Sequence, residues 1–531
     1  MSTLYTTVAA VLLAAPLSGT WRVSLHEKDG VELDFRMTFE QMEDGHWEAY
    51  SRPGAAREIV GGGKAALGRI LGKMPPHEAL MAVTDGTVEG DVLKGTLESP
   101  FLGRRALAGT CSQEKLQAEL RRANGEIAGT LDAGRDPSEE RYRDYPALAA
   151  SLVTAIRENL FDPALLQRPE WQTFFAELKG RVALAKDDLD AIAAFQALRP
   201  KLGTSHLEFI RNPRLAAKSL EEILAGETAV EDPVRLSFPA PGIAFLRVRK
   251  WDRAAEAIDR AFEDILSKDA RVFLLDVRGN PGGDATSMAA LGHLIREPVT
   301  VGAFLGPAWY RQHPRPPSAT ELAGLPVLDT EASPLRLITD IRAGGAVVGK
   351  ALPRTPYYGG PVYLLVDGRT ASASEPLVHA LSASRRATLV GERTAGHMLL
   401  ALPHALTDGW VAVVPEADFV AADGTRLEGR GVEPHVGCAS DQVFLEVAEH
   451  LEKDLPFSAP LLRGATYEAL KQSADALRAY RAALKAAALQ DPPPSPAILA
   501  ATHKRIAALL TEKGDAEGAK RALEEASRLL Q

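Results

Sequence analysis

At 531 residues the chain is too long for a single core, which predicts about three or four domains. Its composition, 46% hydrophobic and 25% charged, is that of a soluble globular protein, and a net charge of -9 without a basic run excludes nucleic acid as a general partner. Cys111 and Cys438 form neither a metal pattern nor a disulfide framework, although an oxidising compartment would allow them to pair.

The apolar run Val8–Leu17 has the length of a signal-peptide core and is too short to span a bilayer. Residues 1–18 are therefore read as a signal peptide of an exported protein, periplasmic or secreted. The alternative is a buried first segment of a cytoplasmic one. No other stretch is long and apolar enough for membrane insertion. Residues 19–136 alternate apolar and polar positions between Asp-Gly turn signals, which predicts an antiparallel β domain, either a barrel that binds a ligand or a docking domain. Within it, REIVGGGKAAL has Lys64 followed by Ala65, so it reads as a loop and not a phosphate cradle. After a polar linker from Arg135 to Tyr145, residues 137–233 carry amphipathic helices and end in LGTSHLEF and a short connection.

Residues 234–439 alternate apolar strands (GIAFLRVRKW, VFLLDVRG, VYLLVDG, ATLVG) with helical runs, the rhythm of a largely parallel or mixed sheet covered by helices. Residues 307–360 are rich in proline and read as a surface insertion over a cleft. Residues 440–531 are helical, with breaks at Ser473-Ala474-Asp475 and Gly514-Asp515. They resemble two tetratricopeptide-like hairpins, or else form a tail packed on the preceding domain.

Ser372 stands where the strand VYLLVDG gives way to a helix. A helix N-terminus there would offer amides and a positive dipole end to a developing negative charge. Ser372-x-x-Glu375 also reads as a capping box, which any helix can use. Four segments taken together, LGTSHLEF, LLDVRGNPGGD, RTASASE and LEGRGVEP, resemble the carboxyl-terminal-processing (tail-specific) and tricorn-core serine peptidases, over Tyr145 to Val436.

That resemblance implies a ClpP/crotonase-like α/β core and a serine peptidase without metal or other cofactor, acting on a peptide or unfolded protein. It makes Ser372 the nucleophile, with an oxyanion hole from the amide of Ala373 and that of Gly282 or Gly283. A tail-specific lysine is missing, since His397 stands where it is expected. Thr204-Ser205-His206 instead matches the tricorn-like Ser-His branch, and Glu428 in EGRGVEP matches its supporting glutamate. The implied set is Ser372 nucleophile, His206 general base, and Ser205 and Glu428 orienting and balancing charge. His397 is a rival base or a groove residue. Glu375 and Glu433 are expected to cap or face solvent, and Asp276 and Arg278 to hold the glycine turn. Only Ile210 to Asp232 separates helices from sheet, too short for a PDZ domain. The reading from another class is a silent relative that binds a peptide or apolar ligand.

Overall fold

The computed structural model describes residues 17–60, 75–136, 138–225, 233–329, 334–487 and 493–531. The signal-peptide reading (all but its last residues), the loop around Lys64 and part of the insertion lie outside them. The chain divides into two compact units, 1–225 with 401–416, and 226–400 with 417–531.

In the first unit, eight antiparallel strands from Gly19–Glu27 to Ile127–Arg135 follow one another around a closed barrel, the first pairing the last. Alternate side chains, Trp21, Val23 and Leu25 on the first strand, point into a filled apolar interior, as the period of two requires. Asp85-Gly86 is not a hairpin turn: Ala82–Glu89 runs through it as one strand with a register shift, Asp85 at φ 54°. The helices are Tyr145–Asn159, Pro169–Ala183 and Asp188–Leu198. Asp187 caps the last, accepting from Asp190 N. Asp187 and Asp188 also accept the barrel amides of Arg36 and Asp34 at 3.1 and 2.8 Å. Arg143 bonds the buried Asp188 at 2.9 Å and Asp408 at 2.7 Å, and pairs with Asp34. Downstream, Glu208–Arg211 pairs antiparallel with Trp410–Val413, and Phe209 stacks on Trp410 with centroids 4.4 Å apart.

The second unit is built on a six-stranded mixed sheet. Val234–Ala240 lies antiparallel to Ile243–Val248; then Val272–Asp276, Val362–Val366, Thr388–Gly391 and Val436–Gly437 follow in parallel. Its central strands read as continuous apolar runs because both faces are covered. Phe273 and Leu275 pack with the helices Ala255–Ser267 and Ser374–Ala383. Val272 and Leu274 pack with the C-terminal helices through Val447, Leu451, Leu461 and Tyr480. Those helices run as two successive pairs, 458–486 and 496–528, and both contribute to the core on the sheet.

The expected surface insertion needs correction. It supplies the strands Val327–Asp329 and Ala346–Ala351, the latter paired with Val299–Leu305 in a second sheet, and its Tyr358 is buried against Phe273. Its prolines flank these strands rather than excluding them.

Candidate active site

Val272–Asp276 and Val362–Val366 are parallel neighbours, Asp276 opposite Leu365, so their C-terminal ends meet and the turns that follow lie side by side. The turns are bound to each other. Gly279 N donates to Asp367 Oδ1 (2.8 Å), the Thr370 hydroxyl to the Val277 carbonyl (2.9 Å) and Ala371 N to the Asn280 carbonyl (3.0 Å). Asp367, Thr370 and Asn280 are all buried. Asp276 and Arg278 form a two-pronged pair with each other (2.8 and 2.9 Å), while the glycine turn itself is held by Asp367 and Asn280.

Ser372 is half-buried between these turns and the helix Ser374–Ala383. The expected capping box does not form. The cap position falls at Ala373, no side chain caps the helix, and Glu375 faces elsewhere. Ser372 itself is at φ 53°, the left-handed region that L-residues enter at a cost and that an N-cap does not use. Its N–H donates outward, to the His397 carbonyl at 2.8 Å. Strain of this kind, of order 1–3 kcal/mol, persists only where surroundings over-determine it.

Gly282 is one of those surroundings. At φ 109°, a Cβ on it would lie 2.5 Å from Ser372 Cβ and 3.0 Å from both Ser372 Oγ and Ala373 N. Only a residue without a side chain fits against the serine. The Gly282 amide, however, is not available to a substrate, because it donates to Asn280 Oδ1 at 2.8 Å. The Ala373 and Gly283 amides have no hydrogen-bond partner among the described residues. Of the two glycine amides expected from the sequence to serve an oxyanion hole, that of Gly282 is engaged and that of Gly283 is without a partner among the described residues.

Trp251, wholly buried, bridges the two turns. Its N–H donates to the Gly282 carbonyl at 3.0 Å, and its indole Nε1 donates to Ser374 Oγ at 2.7 Å. Sequence reasoning missed it; the available signal was a lone tryptophan in the polar run Lys250-Trp251-Asp252-Arg253 just beyond a strand. Asp367 and Asn280 carry only a turn signal in the sequence. Being wholly buried, they must be hydrogen-bonded, and both are.

The loop 394–398 completes the surroundings. Gly396 N donates to Glu375 Oε1 (2.8 Å) and Met398 N to Glu428 Oε2 (2.7 Å), one on each side of His397. Glu375 is wholly buried, so its expected capping or solvated role is corrected; Glu433 does face solvent, paired with Arg393. Burial pushes the Glu375 carboxyl up to about 7; bonds from Thr394 and Gly396 oppose this and the charge of Glu428 adds to it. His397 presents its imidazole to solvent and its carbonyl to Ser372.

Ser205 and His206 belong to the first unit. There Ser205 is buried, and its hydroxyl lies 2.7 Å from His206 Nδ1. His206 is at φ 57°, again left-handed.

The family described as Peptidase family S41 matches residues 242–438, which contain both turns, Ser372, the 394–398 loop and Glu428. Residues 242–438 are a family S41 peptidase domain. It is homologous to carboxyl-terminal-processing proteases. Carboxyl-terminal-processing peptidase 3, chloroplastic, of Arabidopsis thaliana is 25% identical over 290 residues, 52% of this chain and 49% of that protein. The carboxyl-terminal-processing protease of Synechocystis is 25% identical over 281 residues, 50% and 57% of the two chains. Carboxyl-terminal-processing peptidase 1, chloroplastic, of Arabidopsis thaliana is 38% identical over 81 residues, only 15% and 17%. The chain spans about half the length, or less, of these relatives. The barrel and Thr204-Ser205-His206 precede the S41 match, and the helical tail follows it.

Proposed function

We propose that the chain is a serine peptidase that hydrolyses peptide bonds through an acyl-enzyme on Ser372. The observation that carries this reading is the serine held at φ 53° against Gly282, beside the uncommitted amides of Ala373 and Gly283. Ser372 Oγ attacks the scissile carbonyl carbon as its proton passes to His206. Negative charge on the carbonyl oxygen is taken by the two amides. His206 then returns the proton to the departing amine as the carbon–nitrogen bond breaks, and water repeats the sequence on the ester. With Nδ1 engaged by Ser205, the ring would work through Nε2, and Glu428 would balance the imidazolium charge together with Ser205. The base assignment rests on the Thr-Ser-His resemblance.

The names of the relatives support a peptide or protein as substrate, which we take to be a peptide or unfolded chain, and the apolar Val8–Leu17 run supports an exported location. The test is hydrolysis of a fluorogenic peptide library by wild type, Ser372→Ala, His206→Ala and His397→Ala. We expect losses of about 10⁴-fold or more for the first two variants and less than about tenfold for the third. Activity that survives His206→Ala and disappears in His397→Ala would move the base to the other histidine. A wild type inert toward the library would favour a silent peptide binder.

A further inference from the structure

Glu375 is a buried titratable group with no part in the reaction just described. It sits three residues beyond Ser372, in the first turn of the helix, with its side chain turned away from solvent. Oε1 accepts from the Thr394 hydroxyl at 2.6 Å and from Gly396 N at 2.8 Å. Oε2 is buried as well. Burying a carboxyl is costly even when hydrogen-bonded, and a leucine here would bury without that cost.

Its use is visible in what it holds. Thr394 and Gly396 open the loop whose next carbonyl, that of His397, receives the Ser372 N–H. The other side of His397 is held by Glu428 through Met398 N, and Gly429 N closes on the Gly396 carbonyl at 2.7 Å. Gly396, at φ 66°, lies so close to the 430–431 backbone that a Cβ would come within 2.8 Å of Gly431 N. The loop is therefore fixed by two carboxyls and a backbone contact, and it in turn fixes the nucleophile's main chain.

We propose that Glu375 is a positioning residue for the nucleophile: by gripping Gly396 and Thr394 it sets the His397 carbonyl, which holds Ser372 in its left-handed conformation. The role rests on the reading of Ser372 as nucleophile. Glu375 touches no substrate. The charged group that faces it is Glu428, whose charge adds to burial in raising the Glu375 pKa. The acceptor Oε1 is what matters, so glutamine should replace glutamate and alanine should not.

The experiment compares wild type with Glu375→Gln, Glu375→Ala and Glu375→Met, the last filling the volume without an acceptor should alanine fail to fold. Turnover is read with amide hydrogen exchange of the segments 370–373 and 394–398. A shift of the nucleophile by about 1 Å costs about 100-fold in rate. We expect that loss in kcat for Glu375→Ala or Glu375→Met with KM within about twofold, and recovery to within about threefold for Glu375→Gln. Exchange in both segments should rise together in the alanine or methionine variant, with the strand Val362–Val366 unchanged. A folded alanine or methionine variant with unaltered exchange and kcat overturns the proposal, as does a glutamine variant no better than alanine. An inert wild type that still shows the coupled exchange change would remove the peptidase reading and keep the positioning role.

Discussion

Replacing Gly282 by alanine adds one methyl directly against Ser372. The new carbon would stand 2.5 Å from Ser372 Cβ. Carbon atoms settle at about 3.5–4.0 Å, so the two turns must part by roughly 1 Å. Neither can yield by a rotamer change, because Gly282 N is tied to Asn280 and Ser372 N to the His397 carbonyl. The displacement therefore falls on Ser372 and on the neighbouring Ala373 amide. Overpacking of this kind costs about 1–3 kcal/mol of stability, and a 1 Å displacement about 100-fold in rate. Gly424→Ala provides the control. It too has positive φ, 86°, but a Cβ there meets nothing within 4 Å, so it should lose about 1–2 kcal/mol and no turnover. The assay is kcat on a fluorogenic peptide beside urea denaturation of both variants. Gly282→Ala with kcat within about threefold of wild type would refute the packing argument.

Further outcomes follow from the same contacts. Trp251→Phe keeps the buried ring but loses the bond to Ser374 Oγ; kcat should fall about tenfold with KM unchanged, at a stability cost of about 1–2 kcal/mol in urea. Arg143→Ala leaves the buried Asp188 without its cation and should cost about 3 kcal/mol or more in chemical denaturation. That deficit should shrink as pH falls, because burial raises the Asp188 pKa and lets the carboxyl take up a proton. Glu375 has its pKa raised from 4.5 to about 7, so the unfolded chain releases this proton first. Its contribution to stability is thus complete below about pH 4.5, declines as pH climbs to about 7, and stays flat above. The decline has an upper bound of about 3 kcal/mol, and denaturation at pH 5 and pH 8 should show it in wild type and not in Glu375→Gln.

The parts of this site that could be read from residue order are those made by local chemistry. The apolar run Val362–Val366, the Asn280-Pro281-Gly282-Gly283 turn and the alternating strands between Asp-Gly pairs each announce themselves within a few residues. What could not be read depends on partners far along the chain. The capping box at Ser372 was a sound local reading that lost to tertiary contacts: the loop 394–398 takes both the Ser372 N–H and the Glu375 carboxyl. Asp85-Gly86 has the composition of a hairpin turn, yet the barrel's register absorbs it as a bulge. In the proline-rich 307–360 stretch, the short run Ala346–Ala351 is a strand only because Val299–Leu305 lies beside it. Trp251 looks like any lone aromatic until the partner of its indole, Ser374, is known.

The central claim is that the hydroxyl of Ser372 is an activated nucleophile. The most direct measurement is covalent labelling with a serine-directed phosphonate, followed by peptide mapping of the adduct. The account predicts one adduct per chain, on Ser372, absent from Ser372→Ala and slowed by at least about 100-fold in Gly282→Ala. An unlabelled wild type, or an adduct on any other serine, would contradict it.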